Sequence, residues 1–336
     1  ILKYFKNNQS YNLMNFKTFH KLKFISKGRV NNKNSIIKVL RAFLRRFFVL
    51  FTSYKYDFII IEKEIFPYFP AWPELILKVL GKKVLVDYDD ALFHQYANHS
   101  SGLVRFFLGG KIAKVMKYAK WVVAGNEYLA NYAINAGATH VTVVPTVIDL
   151  SKYPKVYKKN SHLNPIIGWI GSPSTVKYLH DLLPVFEELN KKIPITLHIV
   201  GADITFPTSF KVVSIPWSDS TEVVSMLHFD IGVMPLPDSP WERGKCGFKL
   251  IQYMGCSKAV VASPVGVNSY IVSNELDGFL AKTEEQWYHS LKLLLSDVTL
   301  RDRMGSLGRI KVEQKYNVDV ALSSLLDIIV KVDRII

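Results

Sequence analysis

The chain has 336 residues, 49% of them hydrophobic, and a formal net charge of +15. This length and apolar content suit a globular α/β protein of about two domains, at roughly 100–200 residues per domain. Its two cysteines, Cys246 and Cys256, exclude a disulfide framework and favour a reducing, cytosolic setting. No signal peptide is visible in these residues, and no apolar run reaches the ~18 residues needed for a membrane span. The positive charge indicates an anionic partner, which leaves nucleic acid, an anionic membrane and a phosphorylated substrate open.

The N-terminal end is strongly basic, with no acidic residue before Asp57. Residues 35–51 predict a helix in which Lys38, Arg41 and Arg45 share one face and apolar side chains fill much of the rest. One interpretation is a basic amphipathic helix lying on anionic lipid. The other is a crossover helix packed on a sheet, with its basic stripe in water. Because the chain begins at Ile1 and not at a methionine, we expect a missing N-terminal piece and an incomplete first domain.

Strands and helices alternate through residues 57–149. Short apolar, β-branched runs are typical of buried parallel strands, and helical segments separate them. The predicted strands are residues 57–61, 83–87, 121–124 and 141–144, and the predicted helices are 72–80, 103–118 and 128–135, the last capped by Asn126. This order predicts an open parallel sheet covered by helices.

Residues 151–164 lose the apolar pattern and gain lysine, proline and asparagine, which predicts a domain boundary between residues 1–155 and 156–336. A second series follows, with predicted strands at 166–170, 196–200, 211–215, 230–234, 259–262 and 278–281 and helices at 178–190, 220–227 and 284–295. Two such series predict an α/β protein of two Rossmann-like, doubly wound domains that face each other across a cleft. Ligands should gather at the carboxyl ends of the strands.

Two loops of the second series have the composition of anion sites. Residues 171–175, GSPST, follow a strand and open a helix, so their N–H groups and hydroxyls either cap that helix or hold a phosphate. Residues 240–249, PWERGKCGFK, place glycines and basic side chains at the start of another helix. Together they predict a diphosphate site without a metal, because no carboxylate or histidine pair with ligand spacing accompanies them. The chain has neither a G-x-G-x-x-G fingerprint nor a P-loop, which argues against a dinucleotide dehydrogenase and a P-loop enzyme.

The longest motif is GKCGFKLIQYMG at residues 244–255, followed by AVVASPVGVN at 259–268. Shorter ones are GWIGSPST at 168–175, LHIVG at 197–201, DIGVMP at 230–235 and DGF at 277–279. With these motifs the second domain resembles the nucleotide-sugar-binding domain of glycosyltransferase family 4, the retaining enzymes of GT-B fold. The resemblance covers residues 165–315 well and 57–150 more loosely. It implies a donor such as a UDP- or GDP-sugar on the second domain and an acceptor on the first.

The resemblance also implies roles for single residues. Many members carry a Glu-x7-Glu motif whose glutamates contact the donor sugar and the ribose; here Gln252 occupies the second position and Gly244 the first, with Glu242 the nearest carboxylate. Lys177 matches the phosphate-binding lysine, whereas Ser172 replaces the arginine before it. The predicted donor-binding residues are Gly171, Ser172, Thr175, Lys177, Arg243, Lys245, Cys246, Gly247, Phe248, Lys249 and Gln252.

The predicted catalytic residues are Asp89, Asp90 and Glu242. Asp89 and Asp90 end a strand of the first domain where many relatives place a histidine near the sugar. They are expected to hydrogen-bond the sugar or to help deprotonate the acceptor hydroxyl. The alternative, that they are ordinary turn and helix-cap carboxylates, stays open.

We therefore expect a retaining, metal- and cofactor-independent glycosyltransferase that acts on a glycan or a lipid-linked acceptor in the synthesis of cell-surface polysaccharide or lipopolysaccharide. It would be a peripheral protein on the cytoplasmic face of an anionic membrane. One alternative is a GT-B-like binding or scaffold protein whose catalytic site has decayed. The other is a nucleic-acid-binding protein, although the chain contains no recognised module and we expect no nucleic-acid partner.

Overall fold

The computed structural model of the chain describes residues 14–15, 33–56, 58–155 and 163–334. These residues form two compact units. Unit 1 is the described part of Ile1–Pro145 together with that of Leu322–Ile336, and unit 2 is the described part of Thr146–Ala321. Within the described ranges, no helix has both the length and the apolar character that crossing a bilayer requires.

Unit 1 is built on a parallel sheet with the strand order β1-β2-β3-β4-β5. The strands are β1 Met14–Asn15, β2 Phe58–Glu62, β3 Lys83–Tyr88, β4 Trp121–Ala124 and β5 Val141–Val143. The helices are α1 Lys33–Thr52, α2 Trp72–Val79, α3 Leu92–Ala97, α4 Gly102–Leu108, α5 Lys111–Tyr118 and α6 Glu127–Asn135. The central strands are apolar and buried along most of their length, which is why their sequences read as continuous hydrophobic runs.

Two helix predictions in unit 1 have different outcomes. The cap of α6 is confirmed, because the Asn126 side chain accepts a hydrogen bond from the Leu129 N–H at 3.0 Å. The single helix predicted over residues 103–118 is wrong, since α4 ends at Leu108 and α5 begins at Lys111. Gly109 and Gly110 separate the two helices, and glycine is among the weakest helix-forming residues.

Unit 2 is built on a six-stranded parallel sheet with the order β11-β10-β9-β6-β7-β8. The strands are β6 Ile166–Ile170, β7 Thr196–Val200, β8 Lys211–Ile215, β9 Ile231–Met234, β10 Ala259–Ala262 and β11 Phe279–Leu280. The chain runs outward from β6 to β8, then returns to the other side of β6 with β9. The strand order reverses there, and in open α/β sheets ligands bind beyond the carboxyl ends of strands at such a point.

The helices of the second half of the chain are α7 Leu183–Asn190, α8 Glu222–Leu227, α9 Pro240–Arg243, α10 Phe248–Gly255, α11 Asn268–Ile271, α12 Glu284–Ser296, α13 Val298–Lys315 and α14 Val318–Arg334. The helix predicted over residues 178–190 differs in its first half. A 3-10 helix, Val176–Leu182, precedes α7. The α-helix begins where Pro184 can occupy its first turn, because proline has no N–H to donate to a preceding turn.

Candidate functional site

The turn after β6 lies at the reversal of strand order. The Gly171 N–H donates to the Val200 carbonyl at 2.9 Å, so the carboxyl ends of β6 and β7 are joined there. A Cβ on Gly201, which has φ of +90°, would lie 2.5 Å from the Gly171 carbonyl oxygen. Only glycine at residue 201 allows the two strand ends to approach this closely.

The hydroxyls of this turn are partly used within it. Thr175 donates from both its N–H and its Oγ1 to the Ser172 carbonyl, at 2.9 and 3.0 Å, and the Ser172 and Ser174 hydroxyls lie 2.9 Å apart. No side chain caps the 3-10 helix that follows. The turn is thus held by its own hydrogen bonds and remains largely exposed.

Lys249 connects the two predicted anion loops. Its ammonium nitrogen lies 4.1 Å from the centroid of the Trp169 ring, and a Cβ on Gly171 would come within 2.6 Å of it. Burial of the ammonium group and, second, the charge of Lys245 lower the pKa of Lys249 to about 7. The first turn of α10 and the turn after β6 therefore meet at this one amine.

The other basic residues are placed differently. Lys177 is exposed, with its nitrogen 5.4 Å from the Tyr178 ring centroid, and Lys245 lies 5.8 Å from that of Trp241. Arg243 forms a two-pronged ion pair with Asp238, at 2.6 and 3.1 Å. Its guanidinium is thus engaged within the protein, whereas Lys177 extends into solvent.

Gly247 sets the geometry at the start of α10. Its φ of +65° is left-handed, and a Cβ there would meet Ile271 Cδ1 at 2.2 Å. Its neighbours differ in exposure, since Cys246 is buried and Phe248 is exposed. The first N–H groups of a helix have no acceptor inside the helix, so an anion is the kind of group that this turn could receive.

Glu242 is buried, and both of its carboxylate oxygens accept hydrogen bonds from the protein. The Tyr178 hydroxyl donates to Oε1 and the Ser239 hydroxyl donates to Oε2. Burial, followed by the bond to Glu242, raises the pKa of Tyr178. The carboxylate thereby ties α9 to the helix that carries Lys177, and this contact supports a positioning role.

Gln252 is buried with a carboxylate beside it. Its amide nitrogen donates to Glu222 Oε1 at 2.9 Å and to the Tyr153 hydroxyl at 3.3 Å. Glu222 lies in the first turn of α8, in the segment that follows β8. Glu222 therefore supplies a carboxylate beside residue 252, where the sequence has the amide of Gln252.

Sequence reasoning missed Glu222, Tyr153 and Trp217. Trp217 follows β8 and is half exposed, and its Cβ would lie 3.3 Å from a Cβ on Gly201. The sequence could have indicated Trp217, because this residue comes just after a predicted strand and ligands of parallel sheets bind beyond the strand ends. No sequence spacing relates Glu222 or Tyr153 to Gln252, because 30 and 99 residues separate them.

In unit 1 the predicted catalytic aspartates lie at the carboxyl end of β3. Lys63 contacts Asp89 at 2.5 Å and Asp90 at 3.8 Å. Asp87, which the sequence analysis did not select, pairs in register with Glu62. Burial, then the charges of Asp89 and Glu62, raise the pKa of Asp87 to about 7.

Among the described residues, no group of three or more histidine, cysteine, aspartate or glutamate side chains has the arrangement of a metal site. The structure therefore offers no ligand set to name, and metal independence stays a prediction.

Residues 164–297 match the family model described as "Glycosyl transferases group 1". A glycosyltransferase domain thus occupies the part of unit 2 that contains the Gly171 turn, Lys249 and Gln252. This match confirms the expected enzyme class, glycosyltransferase, whereas membership of the retaining family 4 stays a prediction. None of the curated proteins matches the chain.

Several solved structures have a similar fold. Sucrose-phosphate synthase from Thermosynechococcus elongatus is 15% identical, with 89% of this chain and 79% of that chain covered and a TM-score of 0.67. HepE from Anabaena, solved in complex with UDP-glucose, is 15% identical over 85% of this chain and 82% of that one, with a TM-score of 0.64. A glycosyltransferase from Rickettsia africae is 15% identical over 91% and 84%, with a TM-score of 0.64. These likenesses and the two parallel sheets confirm the expected α/β fold of GT-B type.

Proposed function

We propose that the protein is a retaining family 4 glycosyltransferase that transfers a sugar from a nucleoside-diphosphate sugar to a glycan or lipid-linked acceptor. The observation that carries this proposal is the position of the Lys249 amine at the Gly171 turn, inside the matched domain. A lysine and a helix start that meet at a strand end suit a diphosphate. HepE was solved in complex with UDP-glucose, which supports a uridine donor as the first to test.

The chain's basic residues would stabilise the leaving diphosphate. As the bond to the sugar breaks, negative charge develops on the departing phosphate oxygen, and preorganised cations and N–H groups lower the energy of that state. Lys249, Lys245 and the first turn of α10 would supply this field, and Lys177 would reach it from the exposed 3-10 helix. We propose that no metal is needed.

Two further roles complete the proposal. The Gln252 amide and the neighbouring Glu222 carboxylate would hold the ribose hydroxyls, with the carboxylate supplied by α8 rather than α10. Asp89 or Asp90 would accept the proton of the acceptor hydroxyl, with Lys63 holding their orientation. The acceptor would belong to a cell-surface polysaccharide or lipopolysaccharide, at the cytoplasmic face of an anionic membrane.

The test is thermal stabilisation by UDP, GDP and ADP in the presence of a chelator. We expect one of them to raise the midpoint by several degrees at 100-fold excess over its Kd, a gain of about 2.7 kcal/mol. Lys249→Ala should abolish the shift, while the exposed Lys292→Ala in α12 should leave it unchanged. A full shift in Lys249→Ala would refute the phosphate assignment.

A decayed, non-catalytic binding protein is the second candidate, because Glu242 is engaged within the protein and Gln252 is neutral. Incubation with a panel of nucleotide sugars separates the two. Release of nucleoside diphosphate with any donor supports the enzyme. Nucleotide binding with no hydrolysis and no transfer across the panel supports the binding protein.

A further inference from the structure

Helix α1 packs with the side that carries Arg46 inward. The residues that it buries include Ala42 and Arg46, and Arg46 is only 2% exposed. Five large apolar side chains on the opposite side are 54–70% exposed: Leu40, Leu44, Phe47, Phe48 and Phe51. They follow the i, i+4, i+7, i+8, i+11 spacing of a single helical face, here called the α1 stripe. An amphipathic helix of a globular protein normally turns such a face toward the core.

The inward face is fixed by specific contacts. The Arg46 guanidinium lies 5.9 Å from the centroid of the Phe43 ring, which stacks on Phe66 at 5.5 Å. Burial lowers the pKa of Arg46 to about 10, and the charge of Glu64 opposes this effect. Rotating α1 to bury the stripe would remove Arg46 from Glu64 and Phe43 from Phe66. The exposure of the stripe is thus a consequence of how unit 1 packs.

The charged residues of α1 itself are all positive. Lys33–Thr52 contains no aspartate or glutamate, and the exposed Arg41 and Arg45 lie along one edge of the stripe next to Phe48. Exposed Tyr54 and Lys55 follow the helix end. An apolar face bordered by arginines is the composition of a helix that lies in the interface of an anionic bilayer.

A second copy of the chain and residues 1–32 are two other groups that could cover the α1 stripe, and both fit its charge less well. A second copy of the same face would bring Arg41 and Arg45 near their own equivalents, where like charges repel. Residues 1–32 contain seven lysines and arginines and no acidic residue, so they carry the same sign of charge as the stripe's edge. The charge complementarity therefore favours an anionic lipid surface.

We propose that the α1 stripe inserts into the headgroup region of an anionic bilayer, with Arg41 and Arg45 contacting lipid phosphates. The stripe runs along the helix axis over twelve residues, Leu40 to Phe51, a length of about 16 Å at 1.5 Å per step, so α1 would lie parallel to the surface. This inference deepens the membrane location given under the proposed function, but it rests on unit 1 alone and not on the donor site.

Sedimentation with vesicles tests the proposal on the full chain. The chain should bind vesicles of phosphatidylcholine with one-third phosphatidylglycerol at least about tenfold more tightly than pure phosphatidylcholine, and less tightly at high salt. Phe47→Ser/Phe48→Ser/Phe51→Ser should lose at least about tenfold in affinity, whereas Val298→Ser/Ile310→Ser, on exposed positions of α13, should not. Arg41→Gln/Arg45→Gln should lose the preference for anionic vesicles, and the charge-matched Lys292→Gln/Arg303→Gln should keep it.

A label on residue 48 distinguishes the occupants. The described cysteines are both buried, so an environment-sensitive dye on Phe48→Cys reports the stripe. We expect solvent-like emission in the lipid-free chain and a blue shift with anionic vesicles. Emission that is already blue-shifted without lipid would overturn the proposal. If that blue shift depends on protein concentration, a second copy of the chain covers the stripe. If it does not, residues of the same chain cover it. Unaltered vesicle binding by the triple serine variant would overturn it too. Nucleotide-induced thermal shifts measured without vesicles test the donor site separately.

Discussion

The ammonium nitrogen of Lys249 lies 4.1 Å from the centroid of the Trp169 ring, at the point where the turn after β6 meets the first turn of α10. The aromatic face attracts the charged form of the amine, but burial disfavours that form more strongly, since the pKa falls to about 7. The free protein thus has a basic group that changes charge near neutral pH. A bound diphosphate would favour the charged form.

Binding of the nucleotide should therefore take up a proton above pH 7. Above pH 7 the Lys249 amine of the free protein is mostly neutral, so it must gain a proton when the nucleotide binds. The affinity for the nucleotide should therefore fall by up to about tenfold per pH unit above pH 7 and should level off below it. Calorimetry of UDP binding from pH 7 to 9 in buffers of different ionisation enthalpy measures this uptake. Lys249→Arg should flatten the profile because arginine stays charged. An unchanged slope in that variant would assign the titration to another group.

A side chain at residue 247 should destabilise the start of α10 through backbone strain and steric overlap. Gly247→Ala places a Cβ 2.2 Å from Ile271 Cδ1 at a φ of +65°, and we expect a loss of about 2 kcal/mol or more from the strained backbone and the overlap together. Gly110→Ala is the matched control, because a Cβ there meets no atom within 4 Å. Denaturant unfolding measures both. Equal midpoints for the two variants would contradict the structure at α10.

Introducing a glutamate at residue 252 should destabilise this protein. Gln252→Glu places a carboxylate next to Glu222, at a site where the amide now donates at 2.9 Å. The like charges should raise the pKa of one carboxyl, so the loss of stability, about 1–3 kcal/mol, is present above pH 5 and is relieved as the pH falls through the raised pKa.

The reciprocal variant is the control. Gln252→Glu/Glu222→Gln restores one amide and one carboxylate, and its thermal midpoint should return close to that of the original chain between pH 4.5 and 8. Two variants of equal stability would show that the two side chains are not coupled.

Asp87 should make unit 1 less stable as the pH rises. Its pKa is raised from the ordinary value of 3.8 to about 7 in the fold, so stability falls between about pH 4 and pH 7, where the unfolded chain has lost the proton that the folded chain still holds. Asp87→Asn should raise the thermal midpoint at pH 8 and change it little at pH 4. Asp327→Asn, an exposed carboxylate in α14, is the control. No gain at pH 8 would show that the Asp87 carboxylate is well solvated.

The strands were the most predictable elements. Residues 166–170, 196–200, 211–215 and 259–262 form strands at the predicted bounds, because buried parallel strands require continuous apolar, β-branched runs. Helix interiors were predicted less well. The pair Gly109 and Gly110 and the proline of α7 each changed a helix, through backbone effects that side-chain periodicity does not reveal.

At the candidate site, sequence motifs selected Gly171, Lys249 and Gln252, since glycines and lysines at strand ends have a local chemical meaning. They did not select Glu222 or Asp87, because the role of a carboxylate depends on which distant groups surround it. For the same reason, periodicity showed that α1 is amphipathic but left open which way it faces. The sequence by itself determined the two α/β series, the two loops rich in glycine and polar residues and the excess of positive charge, all of which depend on residues near each other in the chain. Only the tertiary structure decided that Lys249 lies at Gly171, that Glu222 accompanies Gln252 and that the α1 stripe points outward, because burial and charge at each of these places are set by residues far apart in sequence.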